Sequence, residues 1–140
     1  MKRIRLYADG GARGNPGPAG AGAVLYELSV EGEEGARLAE VSEYLGETTN
    51  NQAEYQAIIL GLQKAKEIGA DEVDVRLDSE LAVKQLNGEY RVKNQDLAVR
   101  YLEVHNLRST FRLISFTHVR REHNKVADAL VNKAIDAAQV

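Results

Sequence analysis

Two short segments constrain the fold of this chain more than any others. Arg3–Ala8 alternates Ile4, Leu6 and Ala8 with Arg3, Arg5 and Tyr7, and Glu72–Leu77 alternates Val73, Val75 and Leu77 with charged residues. Period-two spacing sends alternate side chains to opposite faces of a strand. Each segment runs directly into an aspartate, Asp9 and Asp78. A helical stretch from about Gln52 to Ile68, closed by Gly69, precedes the second segment, and a strand that returns through a helix runs parallel to its neighbour. As neighbours, the two strands would carry both acids at their carboxyl ends on one edge, where open α/β sheets place their ligands.

The other elements extend this frame. Asp9–Pro18 reads as a turn-forming loop, and a second strand follows over about Ala21–Val30, with Val24, Tyr26, Leu28 and Val30 on one face. Glu31–Gly35 is a hairpin connection to a polar third strand near Arg37–Leu45, suited to a sheet edge. Beyond Asp78 the pattern predicts helices over Ser79–Leu86 and Gln95–Leu107, a last strand over Phe111–Val119 and a last helix over Lys125–Ala138. Three strands joined by tight loops, followed by αβααβα, predict an α/β fold on a mixed sheet: an antiparallel meander, then parallel strands. At 140 residues, without internal repeat or linker, the chain reads as one domain, residues 1–140.

Composition narrows the chemistry. The chain has no cysteine, so disulfides and thiolate metal sites are excluded and any metal must bind oxygen or imidazole. This suits a cytoplasmic protein. No apolar run is long enough to span a membrane, and the basic start meets Asp9 before an apolar stretch can develop, so no secretory signal is expected. The net charge of −3 is unevenly spread. Residues 84–133 hold ten basic against five acidic side chains, +5, which leaves −8 for the rest, much of it between Glu27 and Glu47. A phosphate-facing side opposite an acidic one would have this pattern, and so would an ordinary solvated surface.

Four acids stand in unusual places. Taken singly, each has a structural explanation: Asp9 in a turn, Glu54 in a capping box with Asn51, Asp78 as a helix cap, Asp128 favouring the dipole of the last helix. Together they form a pattern. Glu54 shares a helical stripe with Ile58, Gly61, Leu62 and Ala65, and Asp128 shares one with Val131 and Ile135. Two acids at strand ends and two at the inner edges of helix starts can converge. Four unpartnered carboxylates repel one another and resist desolvation, so a cation is expected among them. Oxygen ligands select hard ions such as Mg²⁺ or Mn²⁺. Two such ions, held roughly 3.5–4 Å apart, can align a water and stabilise the leaving oxygen of a phosphodiester.

These residues resemble the ribonuclease H type 1 family. The matching segments are Tyr7–Pro18, Thr48–Glu54, Leu77-Asp78-Ser79, Tyr90–Asn94 and Asn124–Asp128, in family order over almost the whole chain. The resemblance implies the ribonuclease H-like fold, a five-stranded mixed sheet in order 3-2-1-4-5 flanked by helices. It implies cleavage of the RNA strand of RNA–DNA hybrids to 3′-hydroxyl and 5′-phosphate ends by a monomer carrying two Mg²⁺ or Mn²⁺ ions. Asp9, Glu54, Asp78 and Asp128 become the metal-binding catalytic set. Asn15, Asn50, Glu54 and Ser79 match positions that contact 2′-hydroxyls. Thr49 and Asn94, with Lys93 nearby, match a pocket for a DNA-strand phosphate. Each amide or hydroxyl can equally serve as a cap or turn residue.

The chain departs from the family pattern in several ways. A basic helix and loop present in some members is absent, because Gln85–Tyr90 runs almost directly into Arg91-Val92-Lys93; hybrid affinity then falls to Arg91, Lys93, Arg120 and Arg121. Glu80 and Glu47 stand where some relatives have glutamine and arginine. Many members carry a mobile histidine before the last helix. Here His123 lies beside Asn124, so that both His123, for proton transfer or product release, and Arg121, for charge on the leaving phosphate, are candidates. Two other readings share these features: a hybrid-binding module that does not cut, and a nuclease that also accepts double-stranded RNA.

Overall fold

The computed structural model describes residues 1–140. Its strands are β1 (Arg3–Ala12), β2 (Gly17–Leu28), β3 (Glu34–Thr48), β4 (Glu72–Leu77) and β5 (Leu113–His118). Its helices are α1 (Asn50–Glu67), α2 (Glu80–Leu86), α3 (Gln95–Arg108) and α4 (Lys125–Ala138), with a short 3₁₀ turn at Arg121–His123. The strands form one sheet in the order β3-β2-β1-β4-β5. The pairs β1–β2 and β2–β3 are antiparallel, and β1–β4 and β4–β5 are parallel. This is the expected mixed sheet.

The main core lies on the face covered by α1. Ile4, Leu6 and Ala8 join Ala21, Ala23 and Leu25 of β2 and Val73, Val75 and Leu77 of β4 there, against Tyr55, Ile58 and Leu62 of α1. The stripe that begins at Glu54 is therefore the buried face of α1. The opposite face is covered by α4 through Ala127, Leu130, Val131, Ala134 and Ile135. On β2 the expected inward set differs from the observed one: Ala21, Ala23 and Leu25 enter the main core, Val24 is buried on the other face, and Val30 is 81% exposed beyond the strand. Helices cover both faces of β2, so its apolar run carries no alternation to read.

The segment expected to be a loop, Asp9–Pro18, is mostly strand. β1 continues to Ala12 and β2 begins at Gly17, leaving only residues 13–16 for the turn. Here glycine serves close approach rather than turning. A Cβ on Gly10 would lie 2.2 Å from the Ala53 carbonyl carbon of α1, and one on Gly22 would lie 2.2 Å from the Ala127 carbonyl oxygen of α4. Helices thus press on the sheet from both sides at adjacent positions. Backbone atoms cannot be displaced as a flexible side chain can, so Gly10→Ala must lift α1 from β1. The substitution is expected to cost about 2–3 kcal/mol of unfolding free energy, read from the denaturant midpoint. An unchanged midpoint would refute the close-packing account.

Candidate active site

The four acids arrive at one place by four routes. Parallel pairing of β1 and β4 ends at Ala8 and Leu77, and the next residues are Asp9 and Asp78. Asp9 itself stays within β1, paired with Gly22 of β2. Ala53 rests on Gly10 and brings Glu54 behind it, while Ala127 rests on Gly22 and brings Asp128. All four line a cavity of about 370 Å³, together with Arg121, Asn50 and residues 10–13. Asp9, Glu54 and Asp78 are half-buried, and Asp128 lies at the exposed rim.

A buried asparagine fixes this arrangement. Asn124, 1% exposed, donates from Nδ2 to the Ala8 carbonyl at 3.0 Å, which joins the start of α4 to the residue before Asp9. Its Oδ1 is buried without a partner. The sequence signalled this role only through membership of the Asn124–Asp128 segment, since a lone asparagine before a helix usually reads as a cap. Arg13 and Asn132 also line the cavity without having been anticipated. Asn132 could have been found at one helical turn from Asp128, whose carbonyl accepts from its Nδ2 at 3.2 Å. Arg13 is tied to Asp136 at 2.7 Å.

The cavity is electrostatically strained. Burial pushes the Asp9 carboxyl up to about 8, helped by the charge of Asp78, hydrogen bonding and charge from Asp128, and the charge of Glu54. Burial pushes Glu54 up to about 7; hydrogen bonding from Ser79 opposes this, Asp78 adds to it, and Arg121 opposes it. None of the four acids belongs to any of the molecule's eleven ion pairs. No three acidic or histidine side chains close into a ready-made cage for an ion. The donor set still fits a hard divalent cation: it is all oxygen, and its crowded carboxyls hold on to protons that a bound cation would displace.

Comparison with known proteins places this architecture. A family model described as reverse transcriptase-like matches residues 7–134. The chain is 43% identical over 136 residues to a ribonuclease HI of Halobacterium salinarum, covering 97% of this chain and 66% of that protein. It is 44% identical to the bifunctional protein Rv2228c of Mycobacterium tuberculosis, covering 97% of this chain and only 36% of that longer protein. A solved structure of LC11-RNase H1 in complex with an RNA/DNA hybrid superposes with a TM-score of 0.88 at 44% identity, covering 98% of this chain and 99% of that one. The chain belongs to the type 1 ribonuclease H family.

The positions that match ribonuclease H substrate contacts fall into two groups. Asn50 lines the acid cavity, and its Oδ1 accepts from the Ala12 amide at 2.8 Å. Asn15 accepts from the Asn50 amide at 3.1 Å and lines a second cavity of about 250 Å³ with Thr49 and Asn94. That cavity lies where α1 and α3 begin, and Thr49 and Asn94 are their caps, accepting from Gln52 and Leu97. The cap of α1 is therefore Thr49, and the capping-box explanation for Glu54 does not hold. Ser79 caps α2 and accepts from the Ala82 amide at 3.1 Å. Lys93 is exposed, free of ion pairs, and outside the residues lining the Thr49–Asn94 cavity, which Asp96 does line. Arg121 and His123 part company. Arg121 faces the acids, whereas His123 lines a different pocket with Tyr7, Tyr26 and Glu34.

The raised carboxyls have a measurable consequence. A folded-state acid pKa above its unfolded value means that the native state holds a proton the unfolded chain releases. The penalty is absent below about pH 4 and grows as pH rises toward about 8, where Asp9 ionises. In EDTA at pH 8, Asp9→Asn is expected to stabilise the protein by on the order of 2–3 kcal/mol, with the gain vanishing near pH 4. Adding Mg²⁺ should raise the wild-type Tm and leave the variant almost unmoved. Equal Tm values for both proteins in EDTA at pH 8 would contradict the assignment.

Proposed function

We propose that this chain is a ribonuclease H domain, residues 1–140, that cuts the RNA strand of RNA–DNA hybrids endonucleolytically, leaving 3′-hydroxyl and 5′-phosphate ends. The observation that carries the reading is the convergence of Asp9, Glu54, Asp78 and Asp128 on one cavity with no ion-paired cation among them. The hybrid bound to LC11-RNase H1 supports the substrate class. A module that only bound hybrid would gain nothing from four carboxylates facing phosphates. All four acids come from one chain, which suits a monomer. The absence of cysteine suits the cytoplasm, and no helix is long and apolar enough to cross a membrane.

Asp9, Glu54, Asp78 and Asp128 would hold two Mg²⁺ or Mn²⁺ ions, which when bound supply Lewis acidity at the phosphate and an activated water. The protein residues do the rest. Asn50 has its carbonyl oxygen committed to the Ala12 amide at the end of β1, and Asn15 has its own committed to the Asn50 amide, so their Nδ2 groups remain as donors for 2′-hydroxyls. Ser79, its Oγ accepting from Ala82, can donate to Glu54 and orient that carboxylate beside the ribose. Thr49 and Asn94 offer donors and two helix N-termini to a phosphate of the DNA strand, with Lys93 outside the cavity adding charge. Arg121, which lines the cavity, would stabilise negative charge on the cleaved phosphate. His123, in its separate pocket, is outside this machinery.

A labelled hybrid incubated with Mg²⁺ or Mn²⁺ should be cut in its RNA strand, in parallel with RNA and DNA duplexes that test strictness. Asp78→Asn should lower kcat at least about a hundredfold without altering the fold, and Arg121→Ala should lower it more than His123→Ala. An intact RNA strand with either ion, or full activity in Asp78→Asn, would reject this reading.

A further inference from the structure

The acid cavity has a second arginine at its mouth, one that the chemistry described so far does not use. Besides the four acids and Arg121, its walls include Arg13 from the β1–β2 turn and Val131, Asn132 and Ile135 from α4. Asp128, Asn132 and Asp136 are spaced four residues apart, so they follow one stripe of α4 away from the acids. Asn132 lies one turn from Asp128, roughly 6 Å along the axis, and Asp136 a further turn out. The Arg13 guanidinium reaches across to this stripe. Its Nη2 lies 3.3 Å from Asn132 Oδ1 and 2.7 Å from Asp136 Oδ1, whereas Nε and Nη1 make no hydrogen bond within the protein.

A strap between turn and helix is the ordinary reading of such a pair, yet neither end needs one. The turn is already closed by the Arg13 amide, which donates to the Pro18 carbonyl at 2.8 Å, and by Asn50 Oδ1, which accepts from the Ala12 amide at 2.8 Å. The helix is already seated by Ala127 on Gly22 and by the Asn124 bond to Ala8. The Arg13 and Asp136 side chains are 43% and 66% exposed, and an ion pair so open to water adds little stability and is easily exchanged. What the pair does accomplish is to keep a guanidinium beside the acids without letting it fall among them. A phosphodiester offers a guanidinium the same two-oxygen fork as a carboxylate. A strand whose scissile phosphate sat over the acids would carry its next phosphates past the cavity mouth, within reach of a side chain held one to two turns away. The pocket matched to the DNA strand lies elsewhere, at Thr49 and Asn94, so the strand that passes Arg13 is the RNA strand.

We propose that Arg13 binds an RNA-strand phosphate one or two nucleotides from the scissile one, and that Asp136 holds its guanidinium in reserve until that phosphate displaces the carboxylate. The proposal rests on the hybrid-cleaving reading and adds to it a residue that selects and positions the strand to be cut.

Strap and reserve predict opposite signs at Asp136. Hybrid binding is measured by fluorescence anisotropy across a salt series, in an Asp78→Asn background. Arg13→Ala is expected to weaken binding about three- to tenfold and to flatten the salt slope by about one counterion, whereas Asp136→Asn should tighten binding about two- to fivefold. The double variant should bind as Arg13→Ala alone does, and Tm should stay within about 3 °C of the parent in all three. The contacted phosphate is located with hybrids in which one linkage at a time, in either strand, is a methylphosphonate, with a 2′-deoxy phosphodiester control at each RNA position. One RNA linkage within two nucleotides of the cleavage position should lose its penalty in Arg13→Ala. Weaker binding and a lower Tm in both single variants would establish the strap and overturn the proposal. A penalty relieved only on the DNA strand would overturn it too, as would unchanged affinity and salt slope in Arg13→Ala; cleavage by the wild-type chain would leave the nuclease reading intact in each case. A wild-type chain that binds hybrid without cutting would sink the nuclease reading alone, and the anisotropy series would still decide the role of Arg13.

Discussion

Two helices can reach the end of β1 only because the sheet there has almost no side chains. Gly10 and Gly22 leave room for the backbones of α1 and α4, and in each helix the residue after the contact is an acid. Ala53 touches Gly10 and Glu54 follows; Ala127 touches Gly22 and Asp128 follows. Gly22 is also the cross-strand partner of Asp9. A side chain at either glycine would separate the carboxylates by moving a helix, however intact the rest of the core remained. Main-chain contact thus sets the geometry of the site, with a precision that flexible side chains on loops would not give.

That geometry concentrates charge that the rest of the molecule takes care to neutralise. Asp74 and Asp9 are both half-buried aspartates on neighbouring central strands. Burial pushes Asp74 up, but hydrogen bonds and charges from Arg76 and Arg5 outweigh it and hold the carboxyl below its ordinary value. Asp9 has no such partners; burial acts with Asp78, Asp128 and Glu54, all in the same direction. The arginines of β1 and β4, Arg3, Arg5 and Arg76, are committed to Glu72, Glu34 and Asp74 and do not line the acid cavity. Of the two arginines that line the cavity, Arg13 is paired with Asp136, and Arg121, from the 3₁₀ turn, is the one whose charge acts on Glu54. Unpaired buried charge destabilises a fold, and its persistence at one spot marks function better than any single residue does.

Much of this was legible in the amino-acid sequence, for identifiable reasons. The strands β1 and β4 alternate cleanly because one face meets the core and the other meets water, and the stripes through Glu54 and Asp128 are helical because each helix has one buried side. Where both faces are covered, on β2, alternation failed to name the inner set. The glycines after Asp9 have the composition of a turn yet lie in β1, since composition cannot distinguish a glycine that bends the chain from one that admits a neighbouring helix. The parting of Arg121 from His123, two residues away, depends on the 3₁₀ turn between them, a feature with no periodicity to detect. Asn124 is the hardest case. Its role is a single hydrogen bond to a residue more than a hundred positions earlier, and nothing local announces it.

Helix capping and substrate recognition looked like competing explanations for Thr49, Ser79 and Asn94, but the observed bonds make them compatible. In each cap the side-chain oxygen accepts from a backbone amide inside the first turn: Gln52 for Thr49, Ala82 for Ser79, Leu97 for Asn94. Capping consumes acceptor capacity only. The hydroxyl protons of Thr49 and Ser79 and the Nδ2 group of Asn94 are left over, and all are donors. A phosphate or an ionised carboxylate needs donors, and the positive ends of α1 and α3 reinforce them. The cap also fixes the rotamer, so the outward donor is held in place before any ligand arrives. One residue can therefore start a helix and present a proton to the substrate because the two tasks use opposite ends of the same dipole.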